Sequence, residues 1–223
     1  MSGSAVADRY RRHFTATWPD DTPIADVRFV VLDLETAGLN PASDAIVTVG
    51  AVAVSAGDIL IDDSFSALLK VSENTTAVTV HGVTRDQAVN GLDEPAALSG
   101  FLDYLKDGVI VGHHIGHDIT AMNAACGRHW DLTLLNRSLD TMDLTLHLER
   151  AGAFAGRPAI RHFTLDALCE MFGVVPHDRH TAAGDAFITA QIFLRLARLA
   201  SRFGRGTLQK ISEPFDPDGI LSE

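Results

Sequence analysis

Five polar residues, far apart along the chain, have types suited to hydrolysing a phosphodiester. Asp33 and Glu35 close the apolar run Phe29-Val30-Val31-Leu32. Asp118 follows the short apolar segment Val109-Ile110-Val111. His180 and Asp185 sit five residues apart in His180-Thr181-Ala182-Ala183-Gly184-Asp185. Acids gathered with one histidine are the donor set of a two-metal hydrolase, in which cations clamp the attacking and leaving oxygens and a base takes a proton from water. In a strand, residues i and i+2 share a face, so Asp33 and Glu35 point the same way and form a hard-oxygen site suited to Mg²⁺ or Mn²⁺. Asp185 falls in the first turn of a helix and can add a third carboxylate. His180, in the loop before that helix, is of the side-chain type best suited to accepting a water proton near neutral pH. Taken singly, Asp118 reads better as a first-turn acid complementing a helix dipole. The three histidines around it, His113, His114 and His117, offer a zinc-site alternative. Common ligation by all three would need a favourable turn, because His117 projects differently from the other two.

The elements that must position these residues follow from the hydrophobic pattern. The run beginning at Phe29 reads as a fully buried strand. Residues 46–55 and 59–69 read as a second and third strand around the turn at Gly57, giving an antiparallel start. Residues 84–89 and 95–106 have helical character, and residues 109–111 form a short buried strand. A helix over 117–126, a strand over 138–141 and a helix to Arg150 come next. Residues 151–162 read as a loop. Thr164 is a candidate N-cap for a helix ending at Met171. Residues 182–200 read as a long helix, apolar almost all round and therefore buried. Three strands followed by helices alternating with two more strands predict an α/β fold with a mixed five-stranded sheet.

Length and composition set the remaining bounds. The chain has 223 residues, 46% of them apolar. This suits one main domain over 27–203, with an extension over 1–26 and a tail over 204–223 that is expected to fray. No run reaches the roughly 18–20 apolar residues of a membrane helix, and the N-terminus lacks a signal-peptide core, so a cytoplasmic location is expected. Cys126 and Cys169 are not in a ligand-like spacing and read as reduced, buried thiols. The net charge of −11 argues against a tight grip on long duplex DNA. It does not exclude handling a few nucleotides, because bound cations add positive charge where phosphate sits.

In combination the segments resemble the DEDDh 3′–5′ exonucleases, the group that includes the proofreading subunit of bacterial DNA polymerase III and ribonuclease T. The likeness runs from about Phe29 to Leu199. The family's first motif is similar to Asp33-Leu34-Glu35-Thr36-Ala37-Gly38-Leu39, and its last to the stretch from His180 to Asp185. Its second motif, His-Asn-x-x-Phe-Asp, stands here as His113-His114-Ile115-Gly116-His117-Asp118, with two departures. A polymerase-associated stretch is matched by His81-Gly82-Val83-Thr84, and an Asp-Thr pair before a helix by Asp140-Thr141.

The resemblance implies a ribonuclease H-like fold. Asp33, Glu35, Asp118 and Asp185 would be the ligands of two Mg²⁺ or Mn²⁺ ions, and His180 the general base. Thr36, Gly38, Leu39, His81 and His114 would contact substrate, with Leu39 as a wedge against terminal bases. It further implies release of nucleoside 5′-monophosphates from a single-stranded 3′ end, DNA ahead of RNA, and a polymerase or other delivering protein as partner, with no role for a membrane. The competing expectations are an RNA- or oligoribonucleotide-trimming enzyme, a non-catalytic interaction module keeping the fold, and a zinc-dependent hydrolase.

Overall fold

The computed structural model describes residues 3–16, 18–70, 90–156 and 162–217. A five-stranded mixed sheet organises the chain in the order β3-β2-β1-β4-β5. Its strands are β1 (Phe29–Thr36), β2 (Ile46–Ser55), β3 (Asp58–Leu68), β4 (Val109–Gly112) and β5 (Ser138–Asp140). β2 runs antiparallel to both β1 and β3, whereas β4 runs parallel to β1 and β5 parallel to β4. This is the α/β mixed sheet expected from the strand pattern.

β1 is central, and its alternating side chains build two cores. Phe29 and Val31 face one way, onto a helix spanning Ala182–Arg202 that contributes Ile188, Ile192, Phe193 and Leu196. Val30, Leu32 and Leu34 face the other way, onto helices at Glu94–Leu105 and Gly116–Trp130, which contribute Leu98, Phe101, Ala121 and Met122. In chain order the helices are α1 (Gly3–Arg11), α2 (Glu94–Leu105), α3 (Gly116–Trp130), α4 (Thr141–Arg150), α5 (Leu165–Phe172), α6 (Ala182–Arg202) and the short α7 (Leu208–Ile211). Thr164 caps α5 as expected, its hydroxyl accepting from the Ala167 N–H. The long α6 is buried along one side only, since Phe187 remains 40% exposed.

Both described ends of the chain pack on the domain. Val6, Ala7 and Tyr10 of α1 are buried against Leu102, Cys126 and Leu132. Trp18 packs on the main core and donates its indole N–H to the Asp107 carbonyl. The tail, expected to fray after Gly204, instead buries Leu208 and Ile211 completely. It then runs back over α4, where Arg150 donates to the carbonyls of Asp216 and Pro217 and stacks on Phe215. Both cysteines are free and buried, as read from their spacing. Among the described residues, no helix is long and apolar enough to cross a membrane. The helix expected over 84–89, His81, and part of the loop expected over 151–162 lie outside the described residues.

Candidate active site

The site forms where β1 runs past its parallel neighbour. The β1–β4 ladder ends at Val31 and Val111, leaving the Leu34 N–H without a strand partner. Asp118 fills that gap: from the first turn of α3 its Oδ1 accepts the Leu34 N–H at 2.9 Å. This bond fixes the start of α3 against β1 across 84 residues of sequence. Asp33 and Glu35 occupy the same face of β1 as Phe29 and Val31, so they look toward α6.

The approach of α6 depends on a glycine that the sequence reading did not single out. Gly50 is the β2 partner of Asp33, and a Cβ there would fall 2.2 Å from the Ala182 backbone. Absence of that Cβ lets the N-terminus of α6 settle directly on the sheet beside Asp33, and this brings Asp185 in. Oxygens of Asp33, Glu35 and Asp185 then lie within 4.8 Å of one another. Asp185 is buried, and its Oδ1 has no hydrogen-bond partner.

The electrostatics fit a cation-binding centre. Burial pushes the Asp33 carboxyl well above the usual carboxylate range, and the neighbouring charges of Asp118, Asp185 and Glu35 push it further. Burial likewise raises Asp118, to about 7, against the lowering effect of the Leu34 N–H. Clustered buried carboxylates disfavour one another's ionisation, and divalent cations remove that penalty. An all-carboxylate donor set, one oxygen of it buried and unpaired, fits hard cations such as Mg²⁺ or Mn²⁺.

The other expected residues are distributed around this centre. His180 is exposed, in the loop directly before α6. Its backbone takes a left-handed conformation, φ 63°, and its N–H donates to Asp185 Oδ2 at 3.3 Å. Its imidazole is not part of the three-acid group. Thr36 donates its hydroxyl to the Gly38 carbonyl. Gly38 is required by packing, since a Cβ there would meet Asp44 Oδ2 at 2.3 Å. Asp44 in turn accepts the Asn40 N–H at 2.7 Å, so an ordered loop holds Leu39 out, 95% exposed.

His114, where the resembled second motif has asparagine, sits at φ 59°, a left-handed conformation that both residue types populate more readily than most. Asp140 explains why an Asp-Thr pair precedes α4. Its carboxylate accepts the N–H groups of His114, Ile115 and Met142, tying the second motif to the helix. The hydroxyl of Thr141 contacts His113 Nδ1 at 3.0 Å. Burial first, and the neighbouring His114 second, hold His113 down to about 4, so it is neutral at physiological pH. His113, His114 and His117 do not gather into a metal-binding group among the described residues.

Arg179 was also missed. Its guanidinium bridges Asp166, at 2.8 Å from Nε, and Asp185, on Oδ2 through Nη1. The only hint in the sequence is a basic residue directly before His180.

The mixed five-stranded sheet, with acids at the end of its central strand and on the first turns of two helices, has a ribonuclease H-like fold. The sequence profile of the exonuclease family, of ribonuclease T type, matches residues 30–193, and the chain belongs to that family. It is 31% identical over 198 residues to the PolC-type DNA polymerase III of Thermotoga maritima, covering 87% of this chain and 13% of that protein. The chain thus spans about an eighth of the length of this relative. It is 28% identical over 188 residues to the DNA polymerase III subunit epsilon of Aquifex aeolicus, covering 82% of this chain and 87% of that one. In structure it is similar to E. coli exonuclease I in complex with a dT13 oligonucleotide, with a TM-score of 0.68 at 18% identity over 80% of this chain and 43% of that one.

Proposed function

We propose that the chain is a two-metal 3′–5′ exonuclease that removes nucleoside 5′-monophosphates from single-stranded 3′ ends, DNA ahead of RNA. The observation that carries this reading is the convergence of Asp33, Glu35 and Asp185 within 4.8 Å, with Asp185 Oδ1 buried and unpaired and Asp118 beside them on Leu34. These four acids would hold Mg²⁺ or Mn²⁺. Such ions, when bound, supply charge stabilisation at the scissile phosphate and acidify water. His180 accepts the proton of the attacking water: its loop places it at the rim, exposed, where the imidazole can swing over the acids and pass the proton to solvent. Leu39, displayed by the ordered loop after β1, packs on the terminal base and sets the end of the strand. The relatives that are polymerase subunits and the neighbour bound to oligo(dT) support a single-stranded DNA substrate. The net charge of −11 supports delivery by a partner, because the chain's own field repels the phosphate backbone.

The decisive test is digestion of matched 5′-labelled single-stranded DNA and RNA with Mg²⁺ or Mn²⁺, with and without chelator. A ladder of 3′-shortened DNA products that disappears with chelator is expected. Undiminished cleavage in excess chelator would sink the two-metal reading. Faster loss of RNA would make the enzyme an RNA-trimming one.

A further inference from the structure

Arg179 lies between two residues in left-handed conformation, Asp178 at φ 54° and His180 at φ 63°. The loop holding them is fixed on both sides. The Thr181 hydroxyl donates to the Asp178 carbonyl at 2.7 Å and accepts the Gly184 N–H at 3.1 Å. Any Cβ at Gly184 would strike the Asp178 carbonyl oxygen at 2.1 Å. The Arg179 side chain, 20% exposed, is thereby turned inward and lies between an exposed acid and a buried one. Its Nε binds Asp166 at 2.8 Å on α5, and its Nη1 binds Asp185 Oδ2. The same Oδ2 accepts the His180 N–H. The opposite oxygen, Oδ1, is buried with no partner.

We propose that Arg179 is a positioning residue for the metal-binding carboxylate of Asp185. Arg179 and Asp166 form a charge-balanced clamp that locks Oδ2 and leaves Oδ1 as the ligand oxygen. The inference rests on the two-metal reading of the site. Two features separate a clamp from a counter-ion that merely fills the place of a cation. First, Arg179 is tethered outside the acidic cluster, by Asp166, whose carboxyl it holds below the usual carboxylate range. The pair therefore brings directed hydrogen bonds to Asp185 with little net charge to repel a cation. Second, Arg179 shares its oxygen with the His180 N–H, so the same contact sets the carboxylate and the loop carrying the proposed base. Hydrogen bonds to the non-ligating oxygen of a metal-binding carboxylate fix its orientation, and their loss typically weakens metal binding. A planar guanidinium spans two carboxylates where an ammonium cannot.

The test is calorimetric titration of Mn²⁺ into the full chain without nucleic acid, for wild type, Arg179→Gln, Arg179→Lys, Asp166→Asn and the Arg179→Gln/Asp166→Asn double variant. Arg179→Gln should raise the Mn²⁺ Kd roughly 10- to 100-fold. Arg179→Lys should recover little of it. Asp166→Asn should give a smaller loss that vanishes in the Arg179→Gln background, because the two residues act as one unit. In turnover assays, excess Mn²⁺ should restore the Arg179→Gln rate while the oligonucleotide KM stays at its wild-type value. Asp166 is 65% exposed, so Asp166→Asn tests the clamp even if Arg179→Gln folds poorly. Mn²⁺ binding by Arg179→Gln as tight as, or tighter than, wild type would overturn the clamp and make Arg179 a simple counter-ion. Additive effects of the two substitutions would overturn it too. Absence of Mn²⁺ binding by wild type would take down the two-metal reading and the clamp with it.

Discussion

At the scale of single residues, the acids of the site are held in a state that costs the metal-free fold. Burial pushes the Asp118 carboxyl up to about 7 in the folded chain, against about 3.9 when unfolded. Between those values the folded state keeps a proton that the unfolded state has released. This contribution therefore lowers stability as pH rises from about 4 to about 7 and levels off above. Asp33 acts in the same direction. In chelator, Asp118→Asn should consequently melt higher than wild type, with a gap that widens from pH 5 to pH 7.5. The scale is about 2–4 °C for each kcal/mol relieved in a chain of this size. Asparagine keeps an oxygen for the Leu34 N–H, so the structural bond survives. Saturating Mn²⁺ should reverse the ranking, because the variant loses a ligand. A gap that does not change with pH would show that Asp118 does not titrate in this range. The same substitution at Asp33 or Asp185 should lower turnover by orders of magnitude with an unchanged circular dichroism spectrum. For His180, alanine should lower turnover strongly and Mn²⁺ affinity little, whereas alanine at His113, His114 or His117 should cost less turnover. A silent His180→Ala beside an inactive, metal-free His117→Ala would refute the base assignment.

At the scale of elements, the site depends on how closely two helix N-termini approach one strand. α3 is fixed by Asp118 on the Leu34 N–H, and α6 by the missing side chain of Gly50. Gly50→Ala should force the N-terminus of α6 off the sheet. Melting temperature and Mn²⁺ affinity should fall together, since the same backbone carries Asp185. The contrast is Gly127 within α3, where an added Cβ meets nothing within 4 Å. Gly127→Ala should stabilise the chain by about 0.5–1 kcal/mol through helix propensity alone and leave Mn²⁺ binding untouched. Thermal melts with parallel Mn²⁺ titrations check both. If Gly50→Ala melted like wild type and bound Mn²⁺ normally, α6 would have room the geometry denies it.

For the whole molecule, the net charge of −11 suits the proposed end-trimming better than a grip on long nucleic acid. A linear single strand should be shortened from its 3′ end, a circular one of the same sequence should survive, and a blunt duplex should be digested slowly. Few phosphates can be neutralised by a chain with net charge −11, so log KM for oligonucleotide should rise only shallowly with log salt. Circular strands cut as fast as linear ones would make the enzyme an endonuclease. A steep salt slope would mean a basic surface that the overall charge conceals.

The sequence by itself determined the sheet, its antiparallel start and the acids, because each of these is written in local pattern. β1 is apolar without break until Asp33, the turn at Gly57 separates β2 from β3, and Asp33 and Glu35 share a face by the period of a strand. Thr164 was legible as a cap for the same reason, since capping is settled within three residues. The tertiary structure alone decided what lies across long separations. The Leu34 N–H that anchors Asp118 is free only because the parallel ladder stops at Val31. Gly50 matters only because α6 returns onto β2 after more than 130 residues. Arg179 carries no periodic signal. Its place between Asp166 and Asp185 arises when α5 and α6 pack together and a loop with two left-handed residues turns its side chain inward. The packed tail was missed because two apolar side chains, Leu208 and Ile211, make no pattern in sequence but fill a gap beside α4 and α6 once those helices are in place. Local periodicity encodes which elements form and which faces they bury. The distances within a site are set by close packing between elements remote in sequence, and the chain exhibits those only when folded.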